Sequence, residues 1–348
     1  MNRRLLIDWT VVLLVAVGLS VLLTVLAVPS ATLFAGLATG LGRALLVRRR
    51  LTLPRHGMTG AQAVVGVSIG ALVSLSTLQA VAEDWLPVVA VTVATLVLSL
   101  VAGRLMALQP GVSRVTGAFA MIAGGASGIT VMAREMAADA RMVAVLQYLR
   151  VLLIVVTMPV AAAVVFGADA GGAAAPADGG PGPWIGLLFT VVSIAVGIPL
   201  GRLTRIPVAA LLGPMLVAAT LDLTGLSRDA DVPALLEAAA FLVIGLQVGL
   251  SFTRDSLRVV GRALPLALAI IVGLVLVCAG LGAVLAATAD VSPLTAYLAT
   301  TPGGLYAVLA TARESGADAT VVLAVQVLRL FVMLLTAPLV SRWLQRGG

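Results

Sequence analysis

The sequence predicts an all-helical, multi-pass membrane protein made of two inverted five-helix repeats. The first observation is composition: 61% of the 348 residues are hydrophobic and 11% are charged, whereas soluble domains are about half apolar and a quarter charged. The second is that apolar runs of 18 or more residues recur along the chain, each long enough to cross the hydrocarbon as a helix. The third is an internal duplication, which is typical of secondary transporters.

The duplication is most evident where residues 120–160 match residues 299–339 at an offset of 179. Fifteen of these 41 positions are identical. The identical charged residues are Arg134, Glu135, Asp139 and Arg150, which recur as Arg313, Glu314, Asp318 and Arg329. Because charged residues are rare in this chain, their alignment indicates a true repeat.

Twelve apolar segments can be followed in order. They lie at about 10–27, 29–47, 61–80, 86–105, 115–133 and 142–166 in the first copy, and at 184–203, 206–225, 235–252, 263–288, 294–312 and 320–340 in the second. A Gly-, Pro- and Ala-rich linker separates the copies. We therefore predict a first membrane repeat at 1–166, a linker at 167–183 and a second membrane repeat at 184–348.

The distribution of arginine indicates that the two Gly-rich segments, 115–133 and 294–312, do not cross the membrane fully. With five spans in each copy, most arginines fall on the cytoplasmic side, as the positive-inside rule requires. With six spans, five arginines of the second copy would move outside: Arg202, Arg205, Arg254, Arg258 and Arg262. We therefore expect about ten transmembrane helices, two re-entrant or broken segments, oppositely oriented copies, and both termini on the cytoplasmic side of the cell membrane.

The Gly-rich segments are the first candidate binding site. Glycines that interrupt helices at matching places in two repeats point to a site near the bilayer midplane. The exposed N–H groups of a broken helix suit an anion. The candidate residues are Gly124, Gly125, Ser127 and Thr130 in copy one, and Thr300, Thr301, Pro302, Gly303, Gly304 and Tyr306 in copy two. The alternative is that these glycines only allow close helix packing.

Two Gln–Arg pairs form the second candidate site. Gln147 precedes Arg150 by three residues, and Gln326 precedes Arg329 by three residues, so each pair lies on one helical face. A charge deep in an apolar helix is usually paired or functional, and a guanidinium offers a planar fork of donors to a carboxylate, sulfonate or phosphate. The alternative is a structural role, as an ion pair or as a cap on the carbonyls of a broken helix.

The third set of candidates comprises four duplicated carboxylates that could bind a coupling proton or sodium ion: Glu135, Asp139, Glu314 and Asp318. For the Arg–Glu pairs at 134–135 and 313–314 we favour the alternative of a solvated ion pair at the membrane surface. Glu237 lies near a helix end, where we expect it at the interface.

Other chemistries have few residues to support them. The single cysteine, Cys278, excludes a disulfide framework and a thiolate metal site. With His56 as the single histidine, zinc chemistry and Ser–His or Cys–His catalysis have almost no residues to work with. We expect no cofactor, no metal, no nucleic-acid partner and no enzymatic activity.

Several motifs of copy two resemble a known family. These are Leu211-Leu-Gly-Pro-Met215, Thr301-Pro-Gly-Gly-Leu305, Ala317-Asp318 and Leu328-Arg329. They resemble the AbrB-type duplicated membrane proteins, often labelled ammonia monooxygenase or AbrB family transcriptional regulator. Copy one departs at Ala123, where copy two has Pro302. The resemblance implies kinship with inverted-repeat cation–proton antiporters and bile-acid transporters, and hence a scaffold, a mobile core and elevator-like alternating access.

We expect a secondary transporter of a small anionic organic solute. The last three segments of each copy would form the mobile core, and the first two would form the scaffold or a homodimer surface, the dimer being expected by analogy. The runner-up is a membrane sensor or regulatory protein that binds a ligand or partner without transport. A membrane enzyme is the third hypothesis, and it lacks a visible catalytic dyad.

Overall fold

The computed structural model describes residues 3–346 except for 27–29, 48–50, 72, 74–78, 80–84, 124–128, 130–132, 134–135, 137, 168–181, 205, 207, 229 and 253–260. The described residues form thirteen α-helices and no strand. The helices are α1 (Arg3–Val25), α2 (Ala31–Leu46), α3 (Arg55–Gly70), α4 (Trp85–Met106), α5 (Arg114–Met121), α6 (Ala140–Phe166), α7 (Pro183–Leu203), α8 (Ala209–Leu223), α9 (Ala234–Leu250), α10 (Leu264–Thr288), α11 (Pro293–Thr300), α12 (Leu305–Glu314) and α13 (Ala319–Arg346).

The helix bounds recur at the offset of the sequence duplication. The short helix α5 (114–121) corresponds residue for residue to α11 (293–300) at an offset of 179. At the same offset, α3 and α9 begin at equivalent residues, as do α4 and α10, and α6 and α13. The duplication therefore extends from sequence to local structure, including where helices stop.

Among the described residues, five helices are long and apolar enough to cross a membrane: Ile7–Val25, Trp85–Met106, Ala140–Phe166, Trp184–Leu203 and Leu264–Thr288. Four shorter apolar helices accompany them: Ala31–Leu46, Ala209–Leu223, Ala234–Leu250 and Ala319–Met333. An all-helical membrane protein is thus what the described residues support. The inverted orientation of the copies and the full number of spans stay predictions.

The chain divides into two compact units, each drawn from both copies. Unit 1 comprises Met1–Gln79, Pro159–Ser251 and Leu309–Thr320. Within it, α2 packs on α9 and α3 packs on α8. Glycine lets the backbones approach closely: a Cβ on Gly36 would lie 2.2 Å from the carbonyl oxygen of Leu242, and one on Gly245 would lie 2.1 Å from that of Leu33.

Unit 2 comprises Ala80–Met158, Phe252–Val308 and Val321–Gly348. Here α4 packs on α5, α10 packs on α11, and α4 and α10 pack on each other. Two apolar clusters fill the unit. One is centred on Met106, Leu146 and Ile271, and the other is centred on Phe119, Ile122 and Met333. The helix that carries Gln147 and Arg150 therefore lies in an apolar environment.

Candidate functional site

Copy two contains a broken helix. Helix α11 begins at Pro293, where the side chain of Ser292 accepts a hydrogen bond from the backbone N–H of Thr295 (3.2 Å). It ends at Thr300, because Thr301 precedes a proline and takes an extended conformation. Gly303 and Gly304 follow with φ of +126° and +71°, values that favour glycine, and α12 begins at Leu305.

The hydroxyl groups predicted to line this break are engaged by the backbone. Thr300 Oγ1 donates to the carbonyl oxygen of Ala296 (3.0 Å), and Thr301 Oγ1 donates to that of Tyr297 (2.8 Å). Both threonines are buried, and Tyr306 is half-buried. A threonine hydroxyl retains lone pairs for accepting, but its proton is already committed, so an anion must find its donors elsewhere.

Gln326 and Arg329 hold the end of α11. Gln326 Nε2 donates to the carbonyl oxygens of Leu298 (3.0 Å) and Thr301 (3.1 Å), and Arg329 Nη1 donates to that of Thr301 (2.5 Å). Arg329 Nη2 donates to Gln326 Oε1, which locks the pair. The last carbonyls of a helix have no partner within the helix, so these two side chains cap it.

The same cap is built in copy one at the end of α5. Gln147 Nε2 donates to the carbonyl oxygens of Phe119 and Ile122, both at 2.7 Å. Arg150 Nη1 donates to that of Met121 (2.7 Å), and Arg150 Nη2 donates to Gln147 Oε1 (2.6 Å). Copy one thus ends its helix without the proline of copy two. Gly124, Gly125, Ser127, Thr130 and Glu135 lie outside the described residues.

Capping leaves the charge of both arginines unneutralised. Arg150 is 2% exposed and Arg329 is 4% exposed, and no carboxylate in the described part of the chain pairs with either guanidinium. The two guanidinium groups are close enough to repel each other electrostatically. Buried charges are normally paired, so two buried arginines without a described carboxylate partner are unusual.

Each guanidinium also keeps one unused donor. Arg150 Nε and Arg329 Nε are fully buried and have no hydrogen-bond partner. The Arg150 Nε lies against the break of copy two, since a Cβ on Gly303 would be 3.1 Å from it and 3.5 Å from Nη2. The close approach of Gly303 therefore occurs at the Nε–Nη2 edge of Arg150, the kind of edge that carboxylates and phosphates engage as a fork.

The predicted aspartates begin helices. Asp139 Oδ1 accepts from the backbone N–H groups of Arg141 (2.9 Å) and Met142 (3.1 Å) at the start of α6. Asp318 Oδ1 accepts from that of Thr320 (2.9 Å) at the start of α13. Both aspartates are exposed, and both act as N-terminal caps.

A separate polar cluster lies in unit 1. Arg313 Nη1 forms an ion pair with Glu237 Oε1 at 2.9 Å and donates to the carbonyl oxygen of Ser68 at 3.0 Å. The Ser68 hydroxyl also donates to Glu237. The expected surface pair between Arg313 and its neighbour Glu314 is therefore wrong, because Glu237 takes that place. From the sequence we expected Glu237 at the membrane interface. Its position in the first turn of an apolar helix does not identify Arg313 as its partner.

Glu314 instead turns to the start of α2. Its Oε2 accepts a hydrogen bond from the backbone N–H of Ser30, and the Ser30 hydroxyl lies 3.3 Å from that of Thr311. Ser30 has a left-handed backbone with φ of +53°, an uncommon conformation for a residue other than glycine. Glu314 thus contributes to anchoring α12 in unit 1. Within the described residues, no three His, Cys, Asp or Glu side chains come together as a metal site.

Comparison with known proteins gives three similarities. Residues 32–345 match the family model described as Transition state regulatory protein AbrB. The chain is 33% identical over 340 residues to a protein of Escherichia coli (strain K12) named "Putative regulator AbrB", covering 97% of each chain. It is 23% identical over 297 residues to "Uncharacterized protein YhjN" of Bacillus subtilis (strain 168), covering 82% of this chain and 77% of the relative.

Proposed function

The chain belongs to the AbrB family, and we propose that it is a secondary active transporter of a small organic anion. The observation that carries this proposal is the pair of buried guanidinium groups in unit 2, which lack a described carboxylate partner and each keep a free Nε–H. A buried cation pair of this kind is stabilised by a bound anion and strained without one. The family match confirms the resemblance predicted from the sequence. The proposal of an anionic substrate is based on the two buried arginines.

The duplicated architecture supports transport. Unit 2 contains most of the last three apolar segments of each copy, except residues 159–166, 309–312 and 320, and the helices of the first three segments lie in unit 1. A division of both copies between two units supports elevator-like alternating access. Within unit 1, the second helix of each copy packs on the third helix of the other, as α2 on α9 and α3 on α8. Such an exchange is the packing expected of two copies related by a two-fold axis in the membrane plane.

The remaining features of the proposal follow from the membrane setting. We place the protein in the cytoplasmic membrane as a multi-pass protein with both termini cytoplasmic, because the arginine distribution favours that orientation. We assign it no enzymatic reaction, no cofactor and no nucleic-acid partner. A coupling proton or sodium ion and a homodimer are further parts of the transporter hypothesis.

The first test is a thermal-shift screen of the full chain in detergent against carboxylates, amino acids, sulfonates and phosphonates. We expect a subset of anions to raise the unfolding temperature of the wild type. Arg150→Gln and Arg329→Gln should lose this response, because glutamine can still donate to a helix carbonyl but carries neither the charge nor an Nε–H. If no anion stabilises the wild type while both variants fold, the arginines are structural caps only.

A second candidate function is a ligand-binding regulator, which the word "regulator" in the name of the Escherichia coli relative favours. Such a protein would bind the anion without moving it. Counterflow in liposomes separates the two: a transporter loaded with unlabelled anion takes up the same labelled anion, and a regulator does not. Saturable binding without counterflow would therefore reject the transporter and favour the regulator.

A further inference from the structure

Unit 2 contains a third buried donor that nothing satisfies. Five buried side-chain atoms among the described residues lack a hydrogen-bond partner, and three of them lie in unit 2: Arg150 Nε, Arg329 Nε and the hydroxyl of Ser99. Ser99 is 0% exposed and lies in the middle of α4. Because buried polar groups almost always find partners, three orphans in one unit suggest a shared missing partner.

Helix packing places Ser99 at the level of the end of α5. Helices α4 and α5 are joined by a short turn and pack together, and a Cβ on Gly117 would lie 2.3 Å from the carbonyl oxygen of Gly103. Ser99 is one helical turn before Gly103. Helix α5 runs antiparallel to α4, so the level of Ser99 on α4 corresponds to the residue one turn after Gly117 on α5. That residue is Met121, the last of α5, whose carbonyl oxygen accepts a hydrogen bond from Arg150.

The equivalent position in copy two supports this placement. At the offset of 179, Ser99 corresponds to Cys278 and Gly103 to Gly282. A Cβ on Gly282 would lie 2.8 Å from Thr300 Oγ1, so Cys278 lies at the level of the copy-two break. Cys278 is close enough to interact electrostatically with both guanidinium groups. The two equivalent positions thus lie at the levels of the two helix ends, one with a hydroxyl and the other with a thiol.

We propose that Ser99 and the two arginine Nε–H groups together bind a small, doubly charged oxoanion, with Ser99 as the third donor. This inference rests on the proposed function and adds the charge class of the substrate and a specificity residue. Two uncompensated guanidinium groups match two negative charges, since a monoanion would leave one buried cation unpaired. Hydroxyl donors bind anions more strongly than thiols do. We therefore expect Ser99 to contribute more to anion binding than Cys278 does.

The ligand test compares dianions with monoanions of similar shape. Sulfate and succinate are titrated against methanesulfonate and acetate, using the full chain in detergent and the thermal shift as readout. We expect at least one dianion to bind about tenfold or more tightly than its monoanionic counterpart. Equal binding of both classes would overturn the charge assignment while leaving the proposed function intact. Absence of any anion response would instead reject the proposed function.

The residue test uses Ser99→Ala and Cys278→Ser. Ser99→Ala should weaken binding of the best dianion about tenfold or more, because a hydrogen bond to a charged group is lost. The unliganded protein should keep its stability, because that hydroxyl has no partner to lose. Cys278→Ser should strengthen binding by supplying a better donor.

The matched control is Ser193→Ala in α7, which also removes a fully buried hydroxyl without a partner, but in unit 1. It should leave anion affinity unchanged. If Ser99→Ala folds and binds as the wild type while Arg150→Gln does not bind, Ser99 is not a ligand and only this inference fails. If Ser193→Ala weakens binding as much as Ser99→Ala, the effect is general and the assignment also fails.

Discussion

The two units treat their buried charges in opposite ways. In unit 1, the half-buried Arg313 and Glu237 form an ion pair at 2.9 Å, with side chains 19% and 17% exposed. In unit 2, Arg150 and Arg329 are almost fully buried, and no described carboxylate pairs with them. The less desolvated cation, Arg313, is therefore paired with a carboxylate, whereas the more desolvated cations, Arg150 and Arg329, have no described carboxylate partner.

This difference separates a structural cluster from a site that can accept a ligand. A buried pair with its hydrogen bonds satisfied has little capacity for another ion, and its removal mainly weakens the fold. The arginines of unit 2 use their Nη atoms for helix capping and retain charge and an Nε–H. They thus combine a structural role with an unused binding capacity.

The largest expected effect comes from breaking the pair in unit 1. Glu237→Leu leaves the Arg313 guanidinium half-buried without a counter-ion and removes the acceptor of the Ser68 hydroxyl. We expect the free energy of unfolding to fall by about 3 kcal/mol, measured by equilibrium unfolding in detergent micelles. Anion affinity should be unchanged. The double variant Glu237→Leu/Arg313→Leu should recover part of the loss, and a loss equal to that of the single variant would show that the charge pair is not the cause.

Gly303→Ala is the next largest change, and it acts on unit 2. A side chain at φ of +126° is strained, and its Cβ would be 3.1 Å from Arg150 Nε, at the edge where we place the anion. We expect a loss of about 2 kcal/mol in the free energy of unfolding together with loss of the anion-induced thermal shift. Gly280→Ala is the matched control, since a Cβ there meets no atom within 4 Å. It should stabilise α10 slightly, and loss of anion binding in this control would argue against a local effect.

The sequence predicted those parts of the fold that depend on local pattern. Helix-breaking residues and the duplication predicted interruptions near Gly303, and α11 stops at Thr300. The Gln–Arg spacing of three residues placed both side chains on one face, where they bind each other and the preceding helix end. Copy one lacks the proline yet ends α5 at the equivalent residue, because Gln147 and Arg150 supply the cap.

Contacts between segments that are distant in the chain could not be predicted from the sequence. Nothing in the spacing of Glu237 indicates that it pairs with Arg313 rather than leaving Arg313 to its neighbour Glu314. Likewise, Ser99 is an ordinary serine in an apolar helix, and its level near the end of α5 follows only from the packing of α4 on α5. Partner choice depends on how helices from both copies assemble, and helical periodicity carries no information about that assembly.

A carboxylate introduced at position 278 would give the arginines of unit 2 a counter-ion. Cys278→Asp places a carboxylate at a buried position of unit 2 that lies near both guanidinium groups. We expect the unliganded protein to gain about 1.5 kcal/mol in the free energy of unfolding, because two buried cations acquire a partner. Anions should then no longer raise the unfolding temperature. Cys278→Asn has the same shape without the charge, and if it abolished the anion response equally, steric hindrance and not neutralisation would be responsible.

The smallest effects are expected at the duplicated aspartates. Asp139→Ala and Asp318→Ala each remove an exposed N-terminal cap, of α6 and α13 respectively, so each should lower the free energy of unfolding by about 0.5 to 1 kcal/mol. Dianion affinity and the rate of counterflow should be those of the wild type, because these exposed carboxylates do not form ion pairs with the buried arginines. Asp139→Asn and Asp318→Asn retain a capping oxygen and should restore stability. A variant that keeps its stability but loses proton- or sodium-dependent uptake would contradict this, and it would identify that aspartate as the coupling group.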